Sequence, residues 1–166
     1  MADDRTFLIV GASMAGAQAA QQLRKDGFTG KVVLIGAETD RPYERPPLSK
    51  GYLLGKEPRD KAFIHEAQWY GDNDVELILG VTVTGLDPAG HTITVDNVDP
   101  LRYDKLLLAT GSRPRQLDVP GSDSDGIRYL RTIEESDRLR ETLREGVQVL
   151  VIGAGWIGRA SCRERV

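Results

Sequence analysis

The chain has 166 residues, 40% hydrophobic and 28% charged, with 22 basic and 25 acidic side chains and a net charge of −3. That length holds one core, or one domain and part of another, and the scattered charges and pI of about 5.5 exclude a basic nucleic-acid platform. No apolar run approaches the roughly 20 residues that cross a bilayer, and a single cysteine, Cys162, excludes a disulfide framework or a cysteine metal cluster.

The first residues, Met-Ala-Asp-Asp-Arg, lack the basic-then-apolar layout of a secretory leader. The expected setting is therefore cytoplasmic, with no nucleic-acid or membrane partner. TFLIVGAS, residues 6–13, is a short apolar run ending at a glycine, which suits a fully buried parallel strand. Residues 14–26 read as a helix with Ala17, Ala19, Ala20 and Leu23 available for its packing face, and KVVLIG, 31–36, is a second buried strand. Strand, helix and strand in such close succession make a βαβ unit.

Residues 37–55, AETDRPYERPPLSKGYLLG, change the pattern. Four of the chain's eight prolines fall within 41–58, which predicts a stiff, ordered loop leading into a short helix. Residues 74–86, 91–95 and 103–110 read as strands separated by the turns DPAG and DNVDP. Joined so tightly, they should form an antiparallel meander whose last strand, KLLLATG, returns to the main sheet. Residues 113–126, rich in Pro, Gly, Asp and Ser, read as a surface connection. TIEESDRLRETLREG, 132–146, is a helix by its signals: Thr132 and Glu135 at capping-box spacing, acids in the first turn, and a glycine after its end. VQVLVIGAGWIG, 147–158, then repeats the strand-and-glycine layout of the N-terminus.

Two glycine turns result, Gly11 and Gly16 in GASMAG and Gly153, Gly155 and Gly158 in GAGWIG. Such a turn between strand and helix lets the backbone approach a pyrophosphate, while the helix N-terminus supplies N–H groups and a partial positive charge. The first copy has Ser13 where the middle glycine is usual, so by itself it also fits a plain tight turn. Its context adds Glu38, at the end of the second strand, where an acid can accept hydrogen bonds from an adenosine ribose. Two copies imply two nucleotides, hence hydride traffic between a flavin and a nicotinamide. Elsewhere, His65 and His91 have no partner spacing and read as surface or strand-end residues, and Trp69 and Tyr70 as packing. Ser13 and Ser49 lack the His and Asp companions of a hydrolase.

Four separated motifs, PYERPPLSK, LLLATGSRPR, RYLRTIEESDRL and VLVIGAGWIG, resemble the FAD-dependent NAD(P)H:ferredoxin or rubredoxin reductases of oxygenase systems, the putidaredoxin-reductase-like family. Apoptosis-inducing factor is a more distant relative. The resemblance runs from Thr6 to about Trp156. It implies an α/β fold: a doubly wound, mostly parallel, Rossmann-like FAD-binding sheet with a β-meander insertion, followed by the first βα turn of a second dinucleotide-binding domain. Residues 1–115 would form the first part of the FAD domain, and 116–158 a connection, a helix and the start of a truncated NAD(P)-binding domain.

The resemblance also implies roles for individual residues. Gly11, Ser13, Ala15 and Gly16 would cradle the FAD pyrophosphate, and Ala37 and Glu38 would hold its adenosine ribose. Arg45, Pro46 and Lys50 would lie along the FAD. Lys50 is the catalytic candidate, a fixed cation near the isoalloxazine that can stabilise negative charge on the reduced flavin. Val83 would meet the adenine through its backbone, Ala109, Thr110 and Gly111 would approach the diphosphate, and Arg131 would reach back toward the FAD. Gly153, Gly155 and Gly158 would receive the NAD(P)H pyrophosphate. Plainer roles stand beside these: Lys50 as a solvated lysine, Arg131 as an exposed residue beside a capping box, Arg45 as a brace against Glu44 or another acid, and Val83 as a core strand residue.

The implied activity is electron transfer from NAD(P)H through FAD to a ferredoxin or rubredoxin. Disulfide reductases and flavoprotein peroxidases on the same plan need a redox cysteine after the first βαβ unit. Here that region is PYERPPLSKGYLLGK, so electrons would leave the flavin directly. An NADH oxidase or quinone reductase on the same scaffold, and a non-catalytic FAD-binding module, stay open as alternatives. Beyond Gly158, arginines stand at 159 and 165, at the offsets where Ala17 and Leu23 pack in the first helix, and would bury unpaired charge. IGRASCRERV, 157–166, reads as the translation of a sequencing-library adapter. Residues 159–166 are therefore expected to be an artefactual tail, with a genuine divergent or frameshifted terminus as the alternative, and the chain a fragment inactive by itself.

Overall fold

The apolar runs of the N-terminal third become parallel strands in the computed structural model, which describes residues 3–153. The chain divides into two compact units: one takes the chain up to Tyr43 with Phe63–Gly111, the other Glu44–Ala62 with the chain from Ser112.

In the first unit, β1 (Thr6–Val10) and β2 (Lys31–Gly36) flank α1 (Met14–Lys25), the expected βαβ unit. With β3 (Val75–Leu79) and β7 (Lys105–Leu108) they form a parallel sheet of order β3-β2-β1-β7, in register at Phe7↔Val32, Phe7↔Lys105 and Val32↔Val75. Alternation along the strands serves two faces. Ile9, Val32 and Leu34 face α1 and α2 (Ala67–Asp72), packing with Ala20, Tyr70 and Val75. Leu8, Val10, Val33 and Ile35 face the other way, onto Ile93 and Val95. Both faces are covered, so these strands are continuous apolar runs. The expected helix face is borne out: Ala17 and Ala20 are fully buried, and Ala19 and Leu23 pack beside them.

Ile93 and Val95 belong to a second, antiparallel sheet, the meander β4 (Val83–Asp87), β5 (Thr92–Val95) and β6 (Val98–Arg102). Three sequence expectations change here. Residues 74–86 are two strands in two sheets, because the alternation runs unbroken through Gly80 while the backbone there turns at φ +74. DNVDP is a turn only at Asp96 and Asn97; its last three residues begin β6. β6 lies at the edge of its sheet, where the missing N–H of Pro100 breaks no ladder. α2 was not signalled, being only six residues long. The return of the last strand to the main sheet is as expected, and Asp104 secures it: its N–H donates to the Thr6 carbonyl at 2.8 Å, while its carboxylate accepts from the Thr6 N–H at 2.7 Å.

His65 also departs from its surface reading. Its ring stacks on Trp69 with centroids 3.9 Å apart and meets the edge of Tyr70 at 5.9 Å. Among the described residues its Nε2, like the Tyr70 hydroxyl, is buried without a hydrogen-bond partner. Burial, with a smaller contribution from Lys25, pushes the His65 imidazole below its ordinary 6.5, and burial pushes Tyr70 up to about 12. The unfolded chain therefore takes up this proton at higher pH than the folded one, so falling pH through and below about 6.5 favours unfolding. The thermal midpoint should drop from pH 7 to pH 5 more steeply in the unaltered chain than in His65→Gln; equal slopes would refute the assignment. His91, by contrast, is exposed just before β5 and stacks on Tyr103, in keeping with its reading as a surface or strand-end residue.

The second unit is held by α3 (Ile133–Thr142). Thr132 and Glu135 form the predicted capping box, with Glu134 and Glu135 in the first turn. Ile133 and Ser136 are buried, as are Leu48, Tyr52 and Ala62 of the proline-rich segment, which contains two short 3-10 turns at Pro46–Ser49 and Arg59–Ala62. Residues 113–126 carry no helix or strand, as the surface connection requires. Residues 147–153 pair with no strand among the described residues, and Leu150 and Ile152 are 86% and 71% exposed. A parallel strand exists only as a paired element, so the apolar run makes none here. Gly155, Gly158 and the expected tail lie outside the described residues.

Candidate functional site

Because the sheet is parallel, β1, β2 and β7 all end on one edge, and the segments that leave them are tied together. The Gly11 N–H donates to the Ile35 carbonyl at 2.8 Å, Ala109 N–H to Val10 at 2.7 Å, and Gly80 N–H to Glu38 at 3.1 Å. Open α/β sheets bind ligands at this carboxyl edge.

The turn after β1 needs its glycines. Gly11 has φ +122, and a Cβ on it would overlap the Ala109 carbonyl; one on Gly16 would overlap the Gly11 carbonyl and come within 2.9 Å of Leu34. Between them Ser13 is the N-cap residue of α1, yet its side chain makes no capping hydrogen bond, and the first turn holds no acid. The positive end of α1 is thus left for an external anion, with the Ser13 hydroxyl beside it. α3 shows the contrast: its N-terminus is closed by its own Thr132 and Glu135. Ala15 lies exposed in the first turn of α1.

Glu38 leaves β2 half-buried, with Ala37 exposed before it. The Tyr43 hydroxyl donates to the Glu38 carboxylate. Tyr43 is itself only 2% exposed, so it can fix the direction of that carboxylate. No sequence signal pointed to Tyr43, since a five-residue separation across a loop has no period. Ala109, Thr110 and Gly111 follow β7 directly. Val83 fulfils its plainer reading: its side chain packs against the cluster of Leu8, Val10, Ile93 and Val95.

The remaining candidates belong to the second unit. Pro46 opens the first 3-10 turn, with Arg45 as its N-cap and Lys50, exposed, as its C-cap. Arg45 Nη1 donates to the Arg131 carbonyl at 2.5 Å, so this bracing reaches a backbone oxygen, and the Arg131 N–H donates to Glu135 at 2.7 Å. Gly153 has φ +123, matching Gly11 at φ +122.

A parallel sheet whose carboxyl edge carries a glycine turn, an uncapped helix N-terminus and an acid after the second strand defines a dinucleotide-binding domain. Comparison with known proteins places it further. The chain belongs to the pyridine nucleotide-disulphide oxidoreductase family, whose pattern it matches over residues 5–162. It is 41% identical to a probable ferredoxin reductase of Castellaniella defragrans, covering 91% of this chain and 37% of that protein. It is 40% identical to the ferredoxin–NAD(+) reductase component of the biphenyl dioxygenase system of Paraburkholderia xenovorans, covering 92% and 37%. Among solved structures it is similar to the covalent putidaredoxin reductase–putidaredoxin complex, with a TM-score of 0.91, 34% identity, and coverage of 97% of this chain and 39% of that one. The chain thus spans less than two fifths of the relatives it matches.

Proposed function

We propose that this chain supplies the FAD-binding portion of an oxidoreductase that passes electrons from NAD(P)H through FAD to a ferredoxin or rubredoxin in the cytoplasm. The observation that carries the reading is the open N-terminus of α1 beside the Gly11 turn, with Glu38 held one strand away by Tyr43. One suits a pyrophosphate and the other a ribose. Residues 1–115 then form the first part of the FAD domain, and 116–158 lead into the NAD(P)-binding domain.

When bound, FAD supplies hydride acceptance and one-electron delivery. The residues of this chain bind and orient. Gly11, Ser13, Ala15 and Gly16 present backbone N–H groups and a hydroxyl to the pyrophosphate, Ala37 and Glu38 receive the ribose, the Val83 backbone meets the adenine, and Ala109, Thr110 and Gly111 line the diphosphate. By the family resemblance Arg45, Pro46, Lys50 and Arg131 are further FAD contacts, with Lys50 as the cation for the reduced flavin, and Gly153, Gly155 and Gly158 take the NAD(P)H pyrophosphate. The family is named for disulphide chemistry, yet the first 161 residues contain no cysteine. This supports direct delivery to a protein carrier.

Titration of the purified chain with FAD, ADP-ribose and FMN tests the reading. FAD and ADP-ribose should compete for one site, and Glu38→Gln should weaken both by about tenfold, the loss of a charge-assisted hydrogen bond. Tyr43→Phe should weaken them less. FMN binding as tight as FAD, with no response to Glu38→Gln, would overturn the proposal, because FMN has no adenosine ribose.

A further inference from the structure

Residues 37–42 carry no helix or strand, yet the Tyr43 hydroxyl reaches back across them to the Glu38 carboxylate. A second short stretch, 63–65, lies against this one. Tyr43 and Phe63 pair as an isolated antiparallel bridge, and the Ile64 N–H donates to the Pro42 carbonyl at 3.0 Å. Pro42 and Tyr43 are both buried. His65 anchors the end of the stretch through its stack on Trp69 of α2, whose neighbour Tyr70 packs with Ile9, Val32 and Leu34. All of these residues belong to the first compact unit.

Arg41 clasps the two stretches together. Its guanidinium carbon lies 3.6 Å from the centre of the Phe63 ring, and its Nε donates to the His65 carbonyl at 3.2 Å. One side chain, standing between Glu38 and Tyr43 in the sequence, thus grips both ends of the opposing stretch. Two short extended segments paired by themselves are marginal in water. A planar cation stacked on a ring and bonded to a carbonyl adds both attraction and fixed geometry. Geometry is what the site needs, because a carboxylate selects for a sugar hydroxyl only when an oxygen is held toward it.

We propose that Arg41 is a positioning residue for the ribose site: by clasping 63–65 it holds Tyr43, and through Tyr43 it aims Glu38 at a ribose hydroxyl of a bound adenine nucleotide. The proposal rests on the nucleotide reading above. Calorimetric titration of the 166-residue chain with ADP and with 2′,3′-dideoxy-ADP tests it, because only ADP carries both ribose hydroxyls. The unaltered chain should bind ADP about tenfold more tightly than the dideoxy nucleotide, the effect of one charge-assisted hydrogen bond. In Arg41→Ala that ratio should fall to about twofold while the dideoxy affinity stays unchanged. In a Glu38→Gln background Arg41→Ala should cost nothing further, since it acts through the carboxylate. A fall in both affinities with the ratio kept would make Arg41 merely structural and overturn the proposal, leaving the nucleotide reading standing. A ratio near one in the unaltered chain, or no binding of either nucleotide, would bring down the ribose reading at Glu38 and the positioning role with it.

Amide hydrogen exchange without nucleotide checks the clasp independently. Arg41→Ala should speed exchange of the Ile64 N–H by about tenfold while β1 and β2 are unchanged. Unchanged exchange at Ile64, or an equal rise everywhere, also overturns the proposal. Phe63→Leu removes the ring and keeps the guanidinium, and it carries the same expectations for exchange and nucleotide ratio should Arg41→Ala fail to fold.

Discussion

Gly11→Ala should unfold the nucleotide-binding edge, lowering stability by about 3 kcal/mol or more and abolishing FAD binding at any accessible concentration. Two costs add at this position. The backbone is at φ +122, where a side chain is strained whatever space surrounds it. The added Cβ would also overlap the Ala109 carbonyl, and because that obstacle is backbone, in the residue that directly follows β7, no rotamer change relieves it. Relief requires β1 and β7 to part at their carboxyl ends, breaking the 2.7 Å bond from Ala109 N–H to Val10. Gly71→Ala makes a sharp control. Gly71 lies inside α2, and the place its methyl would take has no neighbouring atom within 4 Å, so alanine should be neutral or stabilising by about 0.5 kcal/mol. Urea unfolding of both variants checks the opposite signs, and a loss under about 1 kcal/mol for Gly11→Ala would mean that the turn is not so constrained.

Arg24→Ala should be nearly as damaging, at about 3 kcal/mol, with no effect expected from nucleotide chemistry. This guanidinium in the last turn of α1 closes four backbone carbonyls at once: Asn73 at 2.8 Å, Phe28 at 2.6 Å, Gly30 at 2.8 Å and Asp74 at 2.8 Å. It thereby joins the exit of α1, the entry to β2 and the entry to β3. Each bond has a charged donor, and three of the four, those to Asn73, Phe28 and Gly30, are half-buried, where losing the donor costs most. Arg24→Lys should recover less than half of the loss, since one ammonium cannot span four acceptors fixed around a planar fork. The urea midpoint should fall with an unchanged slope. A midpoint within about 0.2 M of the unaltered chain would show that water replaces the guanidinium without penalty.

Legibility followed the range of the interactions. The βαβ unit could be read because buried parallel strands are apolar runs and α1 displays its packing face at helical spacing. The α3 capping box was legible because both partners lie within four residues. Reading failed where a local pattern continued across a change of partner, as through Gly80, or where turn-rich composition masked an edge strand, as at Pro100. For the candidate site, Gly11, Gly16 and Glu38 announced themselves through their place after strands. Tyr43 and Arg41 did not, for their partners were chosen by the fold.

The sequence by itself determined the class of this protein: two glycine turns at strand ends, an acid after the second strand, and no cysteine where a redox disulfide would stand. Those are local features, dictated by backbone conformation and by the chemistry each residue type can offer. Tertiary structure alone decided which groups act together. It left the N-terminus of α1 open while α3 closed its own, placed the Tyr43 hydroxyl on Glu38, and set Arg41 on the carbonyl of His65, 24 positions away. Hydrogen bonds between distant residues carry no periodic trace, because only the packed chain brings donor and acceptor within about 3 Å.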